Sequence, residues 1–172
     1  MPDIIIVAGP NGAGKTSFAN EYFPRVRTDC VYLNADEIAR GLHSSGYRHR
    51  HLDLAAGRLM LQRMDAAVEA RTDVMFETTL ATLAYQRRIL EWRASGYHVI
   101  LIYLRLPTAE AAVRRVARRV AAGGHAIPVS TITQRFQRSL DYLESFYKPI
   151  VDEWYVWDSV EGDFHLVETR DK

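Results

Sequence analysis

The sequence has little cysteine and no long hydrophobic run. Cys30 is the only cysteine among 172 residues, which excludes a disulfide framework and a thiolate metal cluster. No apolar stretch approaches the roughly 20 residues of a transmembrane helix, and an apolar strand begins at Ile4, which leaves no room for a signal peptide. We therefore expect a cytoplasmic protein without a membrane partner.

Net charge is also nearly absent. The formal charge is +1, so the composition does not indicate nucleic acid or an anionic membrane as a partner. Lysine is scarce, since 3 of the 22 basic residues are lysines and the other 19 are arginines. Arginine binds phosphate bidentately, which suits a nucleotide enzyme, but an arginine-rich genome gives the same bias.

Two motifs of guanine-nucleotide proteins are missing. The chain contains no Asn-Lys-x-Asp segment and no Asp-x-x-Gly switch, so a GTPase is not indicated. No apolar strand ends in aspartate before a long insertion, which disfavours a remodelling ATPase. The size of the chain, 172 residues, fits a small kinase better.

A glycine-rich segment after the first apolar run is the most informative feature that is present. It reads Gly9, Pro10, Asn11, Gly12, Ala13, Gly14, Lys15 and Thr16, followed by Ser17. It matches the phosphate-binding P-loop, and a strand before it and a helix after it would aim backbone N–H groups and the helix dipole at one spot. We expect these residues to bind ATP, with Lys15 reaching the β- and γ-phosphates and Thr16 ligating Mg²⁺. The alternative is a glycine-rich turn without a ligand.

The rest of the chain alternates between strand and helix. Strands are predicted at Ile4–Ala8, Cys30–Asn34, Val74–Phe76, Val99–Leu104, Trp154–Trp157 and Phe164–Val167. Helices are predicted at Lys15–Tyr22, Asp36–Leu42, Leu52–Arg71 and Thr82–Ser95, from a Thr108 cap to Ala122, and from a Ser130 cap to before Pro149. This order predicts an α/β fold, a P-loop kinase-like three-layer sandwich with a mostly parallel central sheet, in which residues 1–172 form one domain.

Acidic and hydroxyl side chains follow two of the predicted strands. Ligands bind at the carboxyl ends of strands in such sheets, and phosphoryl transfer to an alcohol needs a carboxylate that orients the hydroxyl and accepts its proton. Asp36 is the candidate base, and its alternative role is the N-cap of the following helix. Glu77 could hold an acceptor hydroxyl or a water on Mg²⁺, or face solvent. Thr79 is a hydrogen-bond donor beside it, or a turn residue.

Arginines cluster on the two helices after the fourth strand. They are Arg114, Arg115, Arg118, Arg119, Arg135 and Arg138. The segment Gly123–Pro128 between these helices could act as a hinge, so that a helical arm that bears arginines closes over ATP and stabilises the transferring phosphoryl group. The alternative is a solvated basic face. His43 and His49–His51 suggest a metal site only weakly, because no acidic spacing supports one.

Taken together, these motifs resemble the zeta toxin family of P-loop kinases, in its compact chromosomal branch. The resemblance covers nearly the whole chain in order. The matching segments are Gly9–Thr16, Asn34–Ala39, Glu77–Leu80, Trp92–Tyr97, Leu101–Leu104, Arg115–Val120, Gly123–Pro128, Arg135–Leu140 and Trp154–Ser159.

The resemblance implies a set of roles. The best-known members phosphorylate a sugar hydroxyl of UDP-N-acetylglucosamine with ATP, and some have an antitoxin partner. Asp36 then matches the catalytic base, and Glu77 and Thr79 match the acceptor-binding residues. Arg119 and Arg135 match two phosphate-binding arginines that act in catalysis together with Lys15. Ala81 departs from the plasmid-type pattern, in which an arginine at this position helps to hold the sugar nucleotide.

We therefore predict a kinase that uses ATP and Mg²⁺ to phosphorylate a small-molecule hydroxyl. The expected acceptors are sugar nucleotides or related metabolites. Two alternatives remain open. One is a kinase for a nucleic-acid 5′-hydroxyl, which only the arginine bias supports. The other is a nucleotide-binding switch or slow ATPase that acts through a protein partner and has no need of a base such as Asp36.

Overall fold

A computed structural model describes residues 1–23, 30–46 and 52–170 and contains one six-stranded sheet. The strands are β1 (Asp3–Ala8), β2 (Val31–Leu33), β3 (Val74–Thr78), β4 (His98–Arg105), β5 (Glu153–Val160) and β6 (Asp163–Arg170). Their order across the sheet is β2-β3-β1-β4-β5-β6. All neighbouring pairs are parallel except β5 and β6, which form an antiparallel hairpin. The first strand therefore lies in the middle and carries the P-loop at its carboxyl end.

Helices connect the parallel strands. They are α1 (Lys15–Tyr22), α2 (Ala35–Ser44), α3 (Leu52–Glu69), α4 (Ala84–Ala94), α5 (Ala109–Ala121) and α6 (Val129–Tyr142). A π-helical turn, Leu143–Tyr147, continues α6. Within these ranges, no helix combines the length and the apolar character that crossing a membrane requires.

Two hydrophobic cores lie on opposite faces of the sheet. Ile4 and Ile6 of β1 point into the core that α2, α3 and α4 cover, whereas Ile5 and Val7 point into the core of α1, α5 and α6. All four side chains are buried, because successive residues of a central strand face opposite layers. The predicted three-layer α/β fold is confirmed.

The structure corrects two details of the sequence prediction. Strand β3 extends through Glu77 and Thr78, because these residues continue the parallel ladder opposite Val7 and Ala8. Helix α6 begins at Val129 after Pro128, and no side chain caps it, so the predicted Ser130 cap is wrong. The π-helical turn was not predicted, because a π-turn leaves no simple periodic signature.

Candidate active site

The P-loop backbone is possible only with glycine at three positions. Gly9, Gly12 and Gly14 have φ angles of 143°, 83° and 84°. A Cβ atom on Gly9 would lie 2.4 Å from the carbonyl oxygen of Leu104, so the loop presses directly against β4. Left-handed and related conformations are open to glycine at little steric cost. The loop therefore turns sharply from β1 into α1, as a phosphate-binding loop requires.

The other P-loop side chains differ in exposure. Pro10, Asn11 and Ala13 are buried, whereas Ser17 in the first turn of α1 is exposed. The Oδ1 atom of Asn11 is buried and has no hydrogen-bond donor within the described ranges. The buried residues hold the loop in place, and its phosphate-binding surface is mainly backbone.

Lys15 is the first residue of α1 and folds back over the loop. Its Nζ donates hydrogen bonds to the carbonyl oxygens of Gly9, at 2.9 Å, and Pro10, at 3.1 Å. Burial lowers the pKa of this ammonium group from 10.5 to about 8, because desolvation disfavours the charged form. Nearby carboxylates oppose that effect.

The charges that act on Lys15 are those of the predicted site residues. Glu77 and Asp36 raise its pKa, whereas Arg119 and Arg135 lower it. These four side chains come from four different elements, α2, β3, α5 and α6, and all act on one ammonium group. The fold therefore gathers the predicted base, the predicted acceptor-binding acid and both predicted arginines around the P-loop lysine.

Glu77 is the centre of a hydrogen-bond network beside the P-loop. The Thr16 hydroxyl donates to its Oε2 at 3.1 Å, and the Tyr32 hydroxyl donates to its Oε1. The Asn34 Nδ2 lies 3.4 Å from the Thr16 Oγ1. Burial, together with the bond to Glu77, raises the pKa of Tyr32 well above its usual range. Tyr32 therefore stays a hydrogen-bond donor, and Glu77 does not simply face solvent.

Tyr32 is a site residue that the sequence prediction missed. It lies in the short strand β2. The sequence predicts this strand but not which other strand of the sheet pairs with it. The sheet order pairs β2 with β3 and sets Tyr32 opposite Met75, two residues before Glu77. No local pattern in the sequence signals this contact, because it joins residues 45 positions apart.

Asp36 lies in the first turn of α2, and its side chain is exposed. The helix N-cap is Asn34, whose side-chain oxygen accepts from the backbone N–H groups of Asp36, at 2.9 Å, and Glu37, at 3.3 Å. The alternative role of Asp36 as the helix cap is therefore wrong. Its carboxylate has no hydrogen-bond or ion-pair partner among residues 1–23, 30–46 and 52–170, so it is available to a substrate.

Thr79 and Ala81 follow β3, on either side of a buried turn. Leu80 is fully buried with a φ angle of 58°, and its N–H donates to the Thr78 Oγ1 at 3.0 Å. Thr79 is half-buried, and within the described ranges its side chain makes no hydrogen bond. The structure thus places Thr79 two residues beyond Glu77 but does not join it to the network.

Thr16 and Glu77 suit a magnesium ion. A hydroxyl and a carboxylate 3.1 Å apart are hard oxygen ligands of the kind that Mg²⁺ takes, directly or through water. No cluster of three or more histidine, cysteine or acidic side chains able to hold a metal occurs in the described part of the chain. The weakly suggested histidine site at His49–His51 lies outside the described residues.

The two predicted catalytic arginines lie on different helices. Arg119, near the end of α5, is exposed, and its guanidinium donates to the His125 carbonyl at 3.3 Å. Gly124 packs so closely against Arg119 that a Cβ on it would lie 2.7 Å from the Arg119 Cγ. Arg135 on α6 is half-buried. The segment after α5 thus contacts the side chain of Arg119 through Gly124 and the His125 carbonyl.

Arg115 contacts the P-loop. The sequence does not distinguish its role from that of the neighbouring arginines on α5. Its guanidinium donates to the Ser159 Oγ at 2.8 Å, to the Ser159 carbonyl at 3.0 Å and to the Gly12 carbonyl at 3.4 Å. It therefore ties α5, the end of β5 and the P-loop together. Its partners lie 44 and 103 residues away, which hides them from a local pattern.

Comparison with known proteins gives one family, one relative and two solved structures of similar fold. The zeta toxin family profile matches residues 1–158. An uncharacterised protein of Haemophilus influenzae is 25% identical over 132 residues, which cover 77% of this chain and 91% of that protein.

Two solved structures share the fold. A structure of the PezAT chromosomal toxin–antitoxin system of Streptococcus pneumoniae has a TM-score of 0.65 and 17% identity, with 98% of this chain and 72% of that chain covered. A chain of the Pnkp1/Rnl/Hen1 RNA repair complex has a TM-score of 0.67 and 23% identity, with 84% of this chain covered. This chain spans only 46% of that one. The similarities show a shared fold, and the profile match confirms the resemblance found in the sequence: the chain belongs to the zeta toxin family.

Proposed function

We propose that this chain is an ATP-dependent kinase that transfers the γ-phosphoryl group to a hydroxyl of a small molecule, and that residues 1–172 form a single kinase domain. One observation carries the proposal. The charges that act on the P-loop lysine are two carboxylates, from Glu77 and Asp36, and two guanidinium groups, from Arg119 and Arg135. Cations suit the phosphates and the transferring group, whereas a free carboxylate suits an acceptor hydroxyl.

The proposed reaction gives each of these groups a role. Lys15 and the P-loop N–H groups bind the β- and γ-phosphates, and Asp36 orients the acceptor hydroxyl and accepts its proton. A bond forms between the acceptor oxygen and the γ-phosphorus, the bond to the β–γ bridging oxygen breaks, and ADP leaves. Arg119 and Arg135 stabilise the charge on the phosphoryl group. Thr16 and Glu77 would hold Mg²⁺, which neutralises phosphate charge when bound.

A sugar nucleotide such as UDP-N-acetylglucosamine is the proposed acceptor type. Family membership supports it, as do the positions of Asp36 and Glu77, with Thr79 proposed as a further contact to the acceptor. Ala81 lacks the guanidinium of plasmid-type members, so the sugar nucleotide must be held by other groups here. The pneumococcal structure belongs to a toxin–antitoxin system, which supports an antitoxin as the proposed protein partner.

A switch or slow ATPase is the alternative from another functional class. It would need the P-loop but no carboxylate aimed at a second substrate. Asp36 is exposed, has no partner among the described residues and is not needed as a helix cap, so a purely structural role does not account for it.

The test is to follow the label of γ-labelled ATP. The protein is incubated with labelled ATP and Mg²⁺, together with UDP-N-acetylglucosamine, a bacterial metabolite extract or an RNA with a 5′-hydroxyl. We expect label on a small molecule, with Lys15→Met as the inactive control. Label on the RNA alone would favour a polynucleotide kinase, and label only in inorganic phosphate would favour the slow ATPase.

A further inference from the structure

A groove lies between α2 and α3, next to the network of Glu77. Its volume is about 510 Å³, within the range of roughly 300–1,000 Å³ that is usual for small-molecule sites. Its lining includes the side chains of Tyr32, Glu37, Ile38, Leu42, Leu59 and Arg63.

One end of the groove is formed by Tyr32 and Asn34, which belong to the hydrogen-bond network of Glu77. Tyr32 lines the groove, and its hydroxyl donates to the Glu77 carboxylate. Asn34 also lines it, with the Nδ2 atom 3.4 Å from the Thr16 Oγ1. A molecule in the groove would therefore contact, at its near end, the two residues that bond to Glu77 and Thr16, while its far end extends along α2 and α3.

The lining combines apolar side chains with one acidic and one basic side chain. Ile38 and Leu42 are one turn apart on α2, as are Leu59 and Arg63 on α3, so each pair shares a helix face. Apolar side chains on two facing helices suit a ring or another planar group. The groove therefore has the mixed character of a small-molecule site rather than of a purely apolar docking surface.

The two charged side chains of the groove differ in whether they have an ion-pair partner. Glu37 forms an ion pair with Arg40, at 4.0 Å, and its charge acts on Tyr32 at the near end. Arg63 is exposed and has no ion pair or hydrogen bond among residues 1–23, 30–46 and 52–170. An anion is thus disfavoured beside Tyr32 and Glu37 and favoured beside Arg63.

We propose that this groove binds the non-reacting part of the acceptor and that Arg63 pairs with an anionic group on it, a phosphate or a carboxylate. The acceptor is accordingly an anionic metabolite whose hydroxyl lies several atoms away from its charge. Arginine suits this task because its planar fork binds either anion bidentately. The inference rests on the proposed kinase function and assigns Arg63 as a residue that determines acceptor specificity.

The experiment compares Arg63→Gln, Arg63→Lys and the parent protein with labelled ATP and a metabolite extract. Arg58→Gln, an exposed arginine on the same helix that does not line the groove, is the matched control. Mass spectrometry of the labelled products identifies the acceptors and separates phosphate-bearing from carboxylate-bearing ones. The purified acceptor then gives KM and kcat, and titration gives the ATP affinity.

We expect the parent to label anionic metabolites, and Arg63→Gln to raise the acceptor KM by about ten- to a hundredfold, the value of one hydrogen-bonded charge pair. ATP affinity should stay unchanged, Arg63→Lys should be intermediate, and Arg58→Gln should match the parent. A neutral alcohol as the main acceptor, or an unchanged KM in Arg63→Gln, would overturn the assignment while leaving the kinase intact. A parent protein that labels no metabolite would overturn the kinase and this assignment together.

Discussion

At the scale of single residues, the site depends on two groups whose environments differ from water. The Lys15 ammonium group is desolvated and donates hydrogen bonds to two carbonyl oxygens of its own loop. The Tyr32 hydroxyl stays protonated and donates to the Glu77 carboxylate. In both cases burial is the largest cause of the pKa shift, and the Glu77 carboxylate opposes it for Lys15 and adds to it for Tyr32. Each effect has a measurable consequence for binding or turnover.

The first consequence is a pH dependence of ATP binding. The pKa of Lys15 is lowered to about 8, so its positive charge is lost as the pH rises through 8 rather than near 10.5. At pH 9 about a tenth of the lysine is still protonated, so we expect the Kd for ATP to be about tenfold higher than at pH 7. Calorimetric titration measures it, and adenosine, which lacks phosphates, is the pH-independent control. An ATP Kd that stays constant up to pH 9 would contradict the assignment of Lys15 as the phosphate ligand.

The second consequence concerns Tyr32. The substitution Tyr32→Phe keeps the wall of the groove and removes only the hydroxyl that donates to Glu77. We expect kcat to fall by about tenfold, the value of one hydrogen bond to a charged group, with the melting temperature nearly unchanged because the ring is retained. Steady-state kinetics with the acceptor and a thermal melt check this. Full activity in Tyr32→Phe would mean that Thr16 alone suffices to hold Glu77.

Individual site residues could be predicted from the sequence where a motif names them, but their contacts could not. Lys15 and Thr16 follow from the P-loop, and Asp36 and Glu77 follow from their places at strand ends. The contact between Tyr32 and Glu77 needs the order of β2 and β3, which pattern and spacing do not specify. Likewise, the sequence does not show that Asn34 rather than Asp36 caps α2, because asparagine and aspartate are both favourable N-cap residues.

At the scale of secondary-structure elements, α5 carries arginines with two distinct tasks. Arg115 points towards the P-loop and the end of β5, whereas Arg119, one turn later, contacts the segment that leads to α6. Arg114 and Arg118 are exposed. The helix therefore contacts the P-loop through Arg115 and the segment that leads to α6 through Arg119.

Removing the arm's arginines should affect catalysis more than binding. In Arg119→Ala and Arg135→Ala we expect a loss of about 2–4 kcal/mol of transition-state stabilisation, because the charge on the phosphoryl group is greatest in the transition state. The ATP affinity should change little. Comparison of kcat with the ATP Kd tests this, with Arg114→Ala on the same helix as the control. If both variants turn over like the parent, these arginines belong to a solvated face.

Removing Arg115 should instead affect stability and ATP binding. Arg115→Ala deletes the bonds to Ser159 and Gly12, so both the P-loop and the end of β5 lose a partner. We expect the free energy of unfolding to fall by about 1–3 kcal/mol and the ATP Kd to rise. Urea denaturation and titration with ATP measure the two effects. A variant as stable as Arg114→Ala would show that these bonds contribute nothing to the fold.

At the scale of the whole molecule, the alternation of strands and helices sufficed to predict the fold class. Apolar residues at Ile4–Val7 are buried on both faces, which only a central strand of a layered sheet explains. The final hairpin of β5 and β6 agrees with the two late strands that the sequence predicts. The π-helical turn at Leu143–Tyr147 was beyond that pattern, because it has no periodic signature. The family assignment rests on several short motifs in a fixed order, and the profile match over residues 1–158 confirms it.

The most direct test of the whole account is phosphoryl transfer by Asp36→Asn, measured beside ATP affinity. Asn34 caps α2, so this change should leave the fold intact while removing the charge and the proton-accepting role. Glu69→Gln, an exposed carboxylate at the end of α3, is the matched control. We expect Asp36→Asn to bind ATP like the parent and to transfer phosphate to the acceptor at least about a hundredfold more slowly. Transfer at the parent rate would contradict the account, because the base would then lie elsewhere.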